Sequence, residues 1–317
     1  MATIAVLAYD GVQLLDVTGP VEVFEAARVR GGDYDVLVAS PDGGDVQAGS
    51  VRLGVSVAFA ELPSRLDTLV VAGAPDWRAV IADRELVDAV AELAARSRRV
   101  VSVCAGSFLL AAAGLLDGRR VATHWELAGD LAREFPAVEV DADVIFLADR
   151  GVHTSAGITA GIDLCLALVE ADHGAALARA VARHLVVFMQ RPGDSAQFSA
   201  RMEMPATVNW TLRGVLDDVV AEPAGDHSIE ALSERAGYSA RHLTRVFQRE
   251  LGLTPGRYVE RVRVEAAKIR LAGGDEPLGA VARAVGFGSE ETLRRAFHRA
   301  TAATPAGYRS RCRATGA

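Results

Sequence analysis

The chain has 317 residues, half of them apolar, and a net charge of −7. No run approaches the ~18 uninterrupted apolar residues of a membrane span, no leader is visible at Met1–Asp10, and three scattered cysteines are too few for a disulfide framework. Membrane, secreted and disulfide-stapled classes are excluded, which leaves a soluble, cytoplasmic protein of two domains.

From Thr3 the pattern alternates strand and helix. TIAVLAY, YDVLVAS, TLVVAG, RVVSVCA and VIFLAD are apolar runs of strand length. GPVEVFEAAR predicts a helix with Pro20 in its first turn, and RELVDAVAELAARS and SFLLAAAGLL predict two more. Strands alternating with helices imply a mostly parallel, doubly wound α/β sheet over residues 1–190, with ligands at the carboxyl ends of its strands.

Within this domain strand VVSV runs straight into Cys104-Ala105-Gly106, and a helix follows. A side chain on such a turn has the geometry of a nucleophile elbow, and the helix N-terminus beside it favours a thiolate. The alternative is a small thiol at a crowded turn. Asp16, before Thr18-Gly19-Pro20, reads as a cap or turn residue. Gly73 and Ala74, after TLVVA, offer backbone N–H groups to an anion or simply make a tight turn. His124 either approaches the pocket or packs beside Trp125. Cys165 lies in an apolar helix and reads as core. His153, His173 and His184 have no metal-ligand spacing with any cysteine, so neither a metal nor a cofactor is expected.

The segments AYDGVQLLDVTGPVEVFEAAR, SVCAGSFLLAAAGLLDGRRVATHW and GVHTSAGITAGIDLCLALVEADHG resemble the flavodoxin-like ThiJ/PfpI superfamily, in the branch of GlxA-like transcriptional regulators. The match runs on through FMQRPGDSAQFS. The resemblance implies a nucleophilic or oxidisable Cys104 assisted by an acid. It places a small-molecule effector near Asp16, Gly73, Ala74, Cys104, Ala105 and His124. The D-x-T-G-P segment, Asp16 to Pro20, also resembles isonitrile hydratases, which implies that Asp16 works as an acid with Cys104. There a threonine follows the cysteine, and in related hydrolases often a histidine. This chain has Ala105, which can neither shuttle a proton nor orient water, so the reading is not an enzyme.

Residues 191–207, rich in small and polar residues and holding Pro192 and Pro205, read as a linker. Beyond it, from 208 to 317, one paragraph of sequence is written twice. AGYSARHLTRVFQRELGLTPGRYVER returns about fifty residues later as VGFGSEETLRRAFHRATAATPAGYRSR. Ser239, Arg245, Phe247, Arg249, Thr254, Pro255, Tyr258 and Arg261 recur as Ser289, Arg295, Phe297, Arg299, Thr304, Pro305, Tyr308 and Arg311.

Each copy spells two short helices joined by a glycine turn. In the first, Ile229, Leu232 and Ala236 face a core, Gly237 breaks the helix, and Ser239 caps the next. On that helix Leu243, Val246 and Phe247 lie on one face and Arg241, Thr244, Arg245 and Gln248 on another. The second copy repeats this with Gly286, Ser289, Leu293, Ala296 and Phe297, and shows Glu291, Arg294, Arg295 and His298. Such an all-α pair of helix-turn-helix units can place reading helices in successive major-groove segments about 34 Å apart.

Charge agrees: residues 226–317 hold 16 Arg/Lys against 10 Asp/Glu, whereas residues 1–225 hold 18 against 31. The acidic whole hides a basic module suited to phosphate.

The doubled segment resembles the AraC/XylS-type DNA-binding domain over about residues 208–311. The resemblance assigns base reading to Arg241, Thr244 and Arg245 in the first unit and to Glu291, Arg294 and Arg295 in the second. It further implies a homodimer on double-stranded operator DNA, with RNA polymerase as an additional contact. Glu290 and Glu291 repel phosphate, so the first unit is expected to hold DNA more strongly.

Overall fold

The computed structural model describes residues 1–187, 193, 197, 210–301 and 303–314. They form two compact units that divide after Gln197. The linker expected over 191–207 lies outside the described residues apart from Gly193 and Gln197.

The first unit begins with β1 (Ala2–Leu7), α1 (Leu14–Val29), β2 (Tyr34–Ser40), β3 (Val46–Ala48), β4 (Val51–Leu53), β5 (Val57–Ala58), β6 (Leu66–Val71), α2 (Trp77–Ala82) and α3 (Arg84–Ala95). It continues with β7 (Ser97–Val103), α4 (Gly106–Ala112), β8 (Arg120–Ala122), α5 (Ala128–Glu134), β9 (Glu139–Asp141), β10 (Phe146–Asp149), β11 (Val152–Ser155), α6 (Thr159–His173) and α7 (Ala175–His184).

The main sheet has the order β10-β11-β7-β6-β1-β2-β5 and is parallel except for the β10–β11 pair. Its middle strands carry apolar runs such as Ile4–Leu7 and Leu69–Val71 because helices cover both faces. From β1 the chain crosses through α1 to β2 on one side, and from β6 through α3 to β7 on the other. Right-handed crossovers in opposite directions put these helices on opposite faces. Val71 pairs with Ser102 and Val103 with Ser155, so the turns after β6, β7 and β11 start at the same level.

The expected helix start is corrected. α1 begins at Leu14 rather than near Pro20, which lies inside it. Val17 turns into the core, and the Thr18 hydroxyl donates to the Leu14 carbonyl at 3.1 Å, so the D-x-T-G-P stretch is helical. Asp16 thus stands in the first turn of a helix.

At the amino ends of the strands, buried Arg99 donates to both Asp172 oxygens and to Thr68 Oγ1 at 2.7 Å. Tyr34 donates to Asp172 at 2.8 Å, pinning β2 and β7 to α6. His153, on β11, is pushed down to about 4 by burial and then by Arg99 and Arg98. Cys165 is buried in α6 as core.

The second unit is helical among its described residues: α8 (Trp210–Ala221), α9 (Ile229–Ala236), α10 (Ala240–Leu251), α11 (Pro255–Gly273), α12 (Leu278–Ala284), α13 (Glu290–Thr301) and α14 (Pro305–Ala314). Leu232, Leu243, Phe247 and Tyr258 centre one core, and Val281, Leu293, Phe297 and Tyr308 centre another. α11 serves both, giving Val259 and Val262 to the first core and Val264 and Ala267 to the second. No helix among the described residues is long and apolar enough to cross a membrane.

Candidate functional site

Cys104 is the hinge between β7 and α4, at φ 57°. A left-handed backbone on a residue with a β-carbon is strained, and here the packing enforces it. Gly106 lies against the Val71 carbonyl, and a Cβ on Gly73 would fall 2.6 Å from the Ala105 nitrogen. On the other side Gly157, at φ 97°, presses its backbone onto Cys104. The elbow is held between the turns that follow β6 and β11.

Asp16 reaches this point from α1. Its carboxylate has no exposed surface and accepts the Gly73 N–H at 3.2 Å and the Ile158 N–H at 3.0 Å. Burial raises its pKa to about 6, the two backbone donors opposing the rise. Two expectations are therefore corrected. The Gly73 N–H is spent on Asp16 and is not offered to a ligand. The thiolate is disfavoured, because burial and then the Asp16 charge push the Cys104 thiol up to about 12, outweighing the Ala105 backbone donor.

Sequence reasoning missed four members of the cluster. Tyr9 donates to the Ala72 carbonyl at 2.7 Å and is kept neutral by burial and by the charge at Asp16. Ser107 and Thr123 converge on the Cys104 carbonyl, each hydroxyl 3.1 Å away. Ile158, at φ 48°, supplies the second donor to Asp16. The only signal for it was the glycine-flanked TSAGITAG run, where Gly157 precedes a residue forced into a left-handed turn.

Of the six residues expected at the effector site, Gly73, Ala74, Ala105 and Asp16 are buried, and Cys104 and His124 are half-buried. His124 lies 3.9 Å from Glu126 and makes no hydrogen bond to Cys104 or Asp16. Beside it, Gln197 accepts the Trp125 N–H at 3.0 Å and donates to the carbonyls of Thr123 and Ala142, each at 2.9 Å. Among the described residues no cluster could hold a metal.

In the second unit the capping expected from sequence is present. Gly237 ends α9 at φ 64°, and Ser239 accepts the His242 N–H at 3.3 Å. Ser289 accepts the Thr292 N–H at 3.1 Å at the start of α13. Arg241 and Arg245 are exposed on α10, with no carboxylate in ion-pairing range among the described residues. Thr244 is half-buried and donates its hydroxyl to the Ala240 carbonyl at 2.8 Å.

On α13, Arg294 and Arg295 are exposed and lie 3.9 and 3.8 Å from Glu290 and Glu291. The recurrent arginines are not all alike. Arg249 pairs with neighbouring Glu250, while Arg299 reaches Glu260 on α11 at 2.6 Å.

Comparison with known proteins matches residues 2–171 to the DJ-1/PfpI family and residues 232–311 to a helix-turn-helix domain. The chain is 31% identical over 306 residues to the HTH-type transcriptional regulator CdhR of Pseudomonas aeruginosa, covering 96% of this chain and 90% of that one. It is 29% identical over 309 residues to the HTH-type transcriptional regulator GlxA of Rhizobium meliloti, covering 94% and 92%. Its match to an isonitrile hydratase of Pseudomonas putida is partial, 34% over 205 residues, covering 61% of this chain and 81% of the hydratase. Among solved structures, a ThiJ/PfpI family protein from Pseudomonas syringae superposes with a TM-score of 0.55 at 26% identity, over 75% of this chain and 91% of that one.

Proposed function

We propose, for a chain that belongs to the DJ-1/PfpI family and is an AraC-type DNA-binding transcriptional regulator, that its α/β unit binds a small metabolite and thereby resets operator affinity. One observation carries this reading: Asp16 on α1 is held at once by the turns after β6 and β11, against the elbow after β7. A ligand met at Cys104 and His124 would shift contacts in several elements together. Ligand and DNA are then linked by a coupling of about 1–3 kcal/mol. A homodimer on double-stranded operator DNA is the form in which such a shift alters the spacing of reading units. Recruitment or exclusion of RNA polymerase is the output.

The test is a thermal-shift screen of nitrogen-containing metabolites against the full chain, with each hit titrated into operator binding. A metabolite that raises the melting temperature and changes operator affinity supports the reading. Hits that stabilise the protein without altering DNA affinity sink it. A fragment lacking residues 1–205 should keep salt-sensitive DNA binding and lose the ligand response.

A second reading makes Cys104 itself the sensor, oxidised or alkylated by an electrophile. Its half-buried position at a strained elbow favours this, and its raised thiol pKa opposes it. Cys104→Ser discriminates, since an unchanged inducer response excludes the sensor. Hydratase-like turnover is the weakest reading, because Ala105 leaves the thiol without an adjacent proton relay.

A further inference from the structure

We infer that Arg263 and Gly286 form a strut between the two helix-turn-helix units that sets the half-site spacing the protein accepts on DNA. The inference rests on both units reading one duplex.

Arg263 lies on α11 between Val262, which belongs to the first core, and Val264, which belongs to the second. Its guanidinium donates to the Pro223 carbonyl at 2.8 Å and the Gly225 carbonyl at 2.9 Å, both in the loop that leads from α8 into the first unit. The turn of the second unit sits on the same spot. A Cβ on Gly286 would lie 2.7 Å from the Pro223 oxygen and 2.8 Å from both Ala224 Cα and Arg263 Nε.

The equivalent turn glycine of the first unit, Gly237, also has a positive φ, but a Cβ there would meet nothing within 4 Å. Gly237 is required by backbone conformation alone, whereas Gly286 is required by the contact as well. A second tie runs in parallel: Glu260 accepts from Arg257 on its own helix and from Arg299 near the end of α13. Apolar packing along α11 does not close the joint completely, since a cleft of about 380 Å³ opens beside Arg263, lined in part by Ser228, Val259, Phe287 and Thr292. Polar struts across this cleft therefore add to the apolar packing of α11 in setting how α13 is aimed relative to α10.

A rigid joint between two readers converts a change in half-site spacing into a lost contact, whereas a loose joint tolerates it. The half-sites are obtained by selecting random duplexes with the full-length protein. Binding is then measured on the selected site and on sites with one base pair inserted or removed between the halves. Wild type should lose about tenfold or more on the altered sites. Arg263→Ala should bind all three within about threefold of one another, with base preferences inside each half unchanged. Gly286→Ala should move the preferred spacing, because it pushes the turn off the Pro223 loop.

Retention of the full spacing penalty by Arg263→Ala overturns the inference. If that variant loses its helical melt, Glu260→Gln takes its place, and a wild-type penalty there overturns the inference equally. A wild type indifferent to spacing refutes the strut but leaves DNA reading intact. A wild type that selects no sequence refutes the two-reader premise itself.

Discussion

Gly157 packs so closely on Cys104 that a β-carbon placed on it would lie 2.6 Å from the Cys104 Cα and 2.7 Å from its Sγ. The turn after β11 is thereby the lid of the elbow after β7, and both residues have positive φ. Gly157→Ala should cost more than about 3 kcal/mol in denaturant melts, since overpacking and a forbidden backbone angle combine. Cys104→Gly should be more stable than Cys104→Ala by about 1 kcal/mol, because removing the β-carbon relieves the left-handed strain. Equal stability of those two variants would show that the elbow stores no strain.

Burial, and after it the charge of Asp16, suppresses the Cys104 thiolate. Asp16→Asn should therefore speed alkylation of Cys104 by iodoacetamide at pH 8, by severalfold or about tenfold, read site by site by peptide mass spectrometry. It should also destabilise the unit by about 1–3 kcal/mol, as an amide replaces an acceptor that holds two backbone N–H groups. Alkylation at the wild-type rate would mean that the charge is not what restrains the thiol.

Two titrating groups at opposite ends of the sheet, buried Asp16 and half-buried His153, act on stability with opposite sign. Asp16 has a folded pKa raised to about 6 from an ordinary 3.8, so between those values the folded state holds a proton that the unfolded state has lost. Its contribution is complete below the lower value and falls by about 3 kcal/mol as pH rises through 6. His153 is depressed to about 4 from 6.5, so its contribution is complete above the upper value and is lost as pH falls towards 4. Relative to wild type, Asp16→Asn should gain stability with rising pH from 4 to 6, and His153→Gln should lose it. Parallel pH profiles for the two variants would refute this assignment.

On the helix faces proposed to read DNA, Arg245 has no acidic partner among the described residues, whereas Arg295 lies 3.8 Å from Glu291. Arg245→Ala should cost about 1–3 kcal/mol of operator affinity and relax preference at one or two base positions, measured by fluorescence anisotropy. Arg295→Ala should cost less, and Glu291→Gln should strengthen binding by removing repulsion from phosphate. A uniform loss over all sequences for Arg245→Ala would assign it to the DNA backbone instead.

The parts whose signal is local could be read from the order of residues. Strand and helix periods, the serine caps and the glycine at α9's end depend on neighbours a few residues away, so they could be read without a fold. The duplication was legible because it repeats core, turn and arginine positions together. The rest depends on residues far apart in the chain that only folding brings together. Asp16 and Ile158 are 142 positions apart, and no spacing rule joins them. Burial, which no composition reveals, turned an expected thiolate into a restrained thiol and closed Gly73 to a ligand. Likewise Arg299, the repeat counterpart of Arg249, proves tied to Glu260 because the two units share α11. Local patterns choose elements, and the packing of distant elements decides which of their polar groups remain free to act.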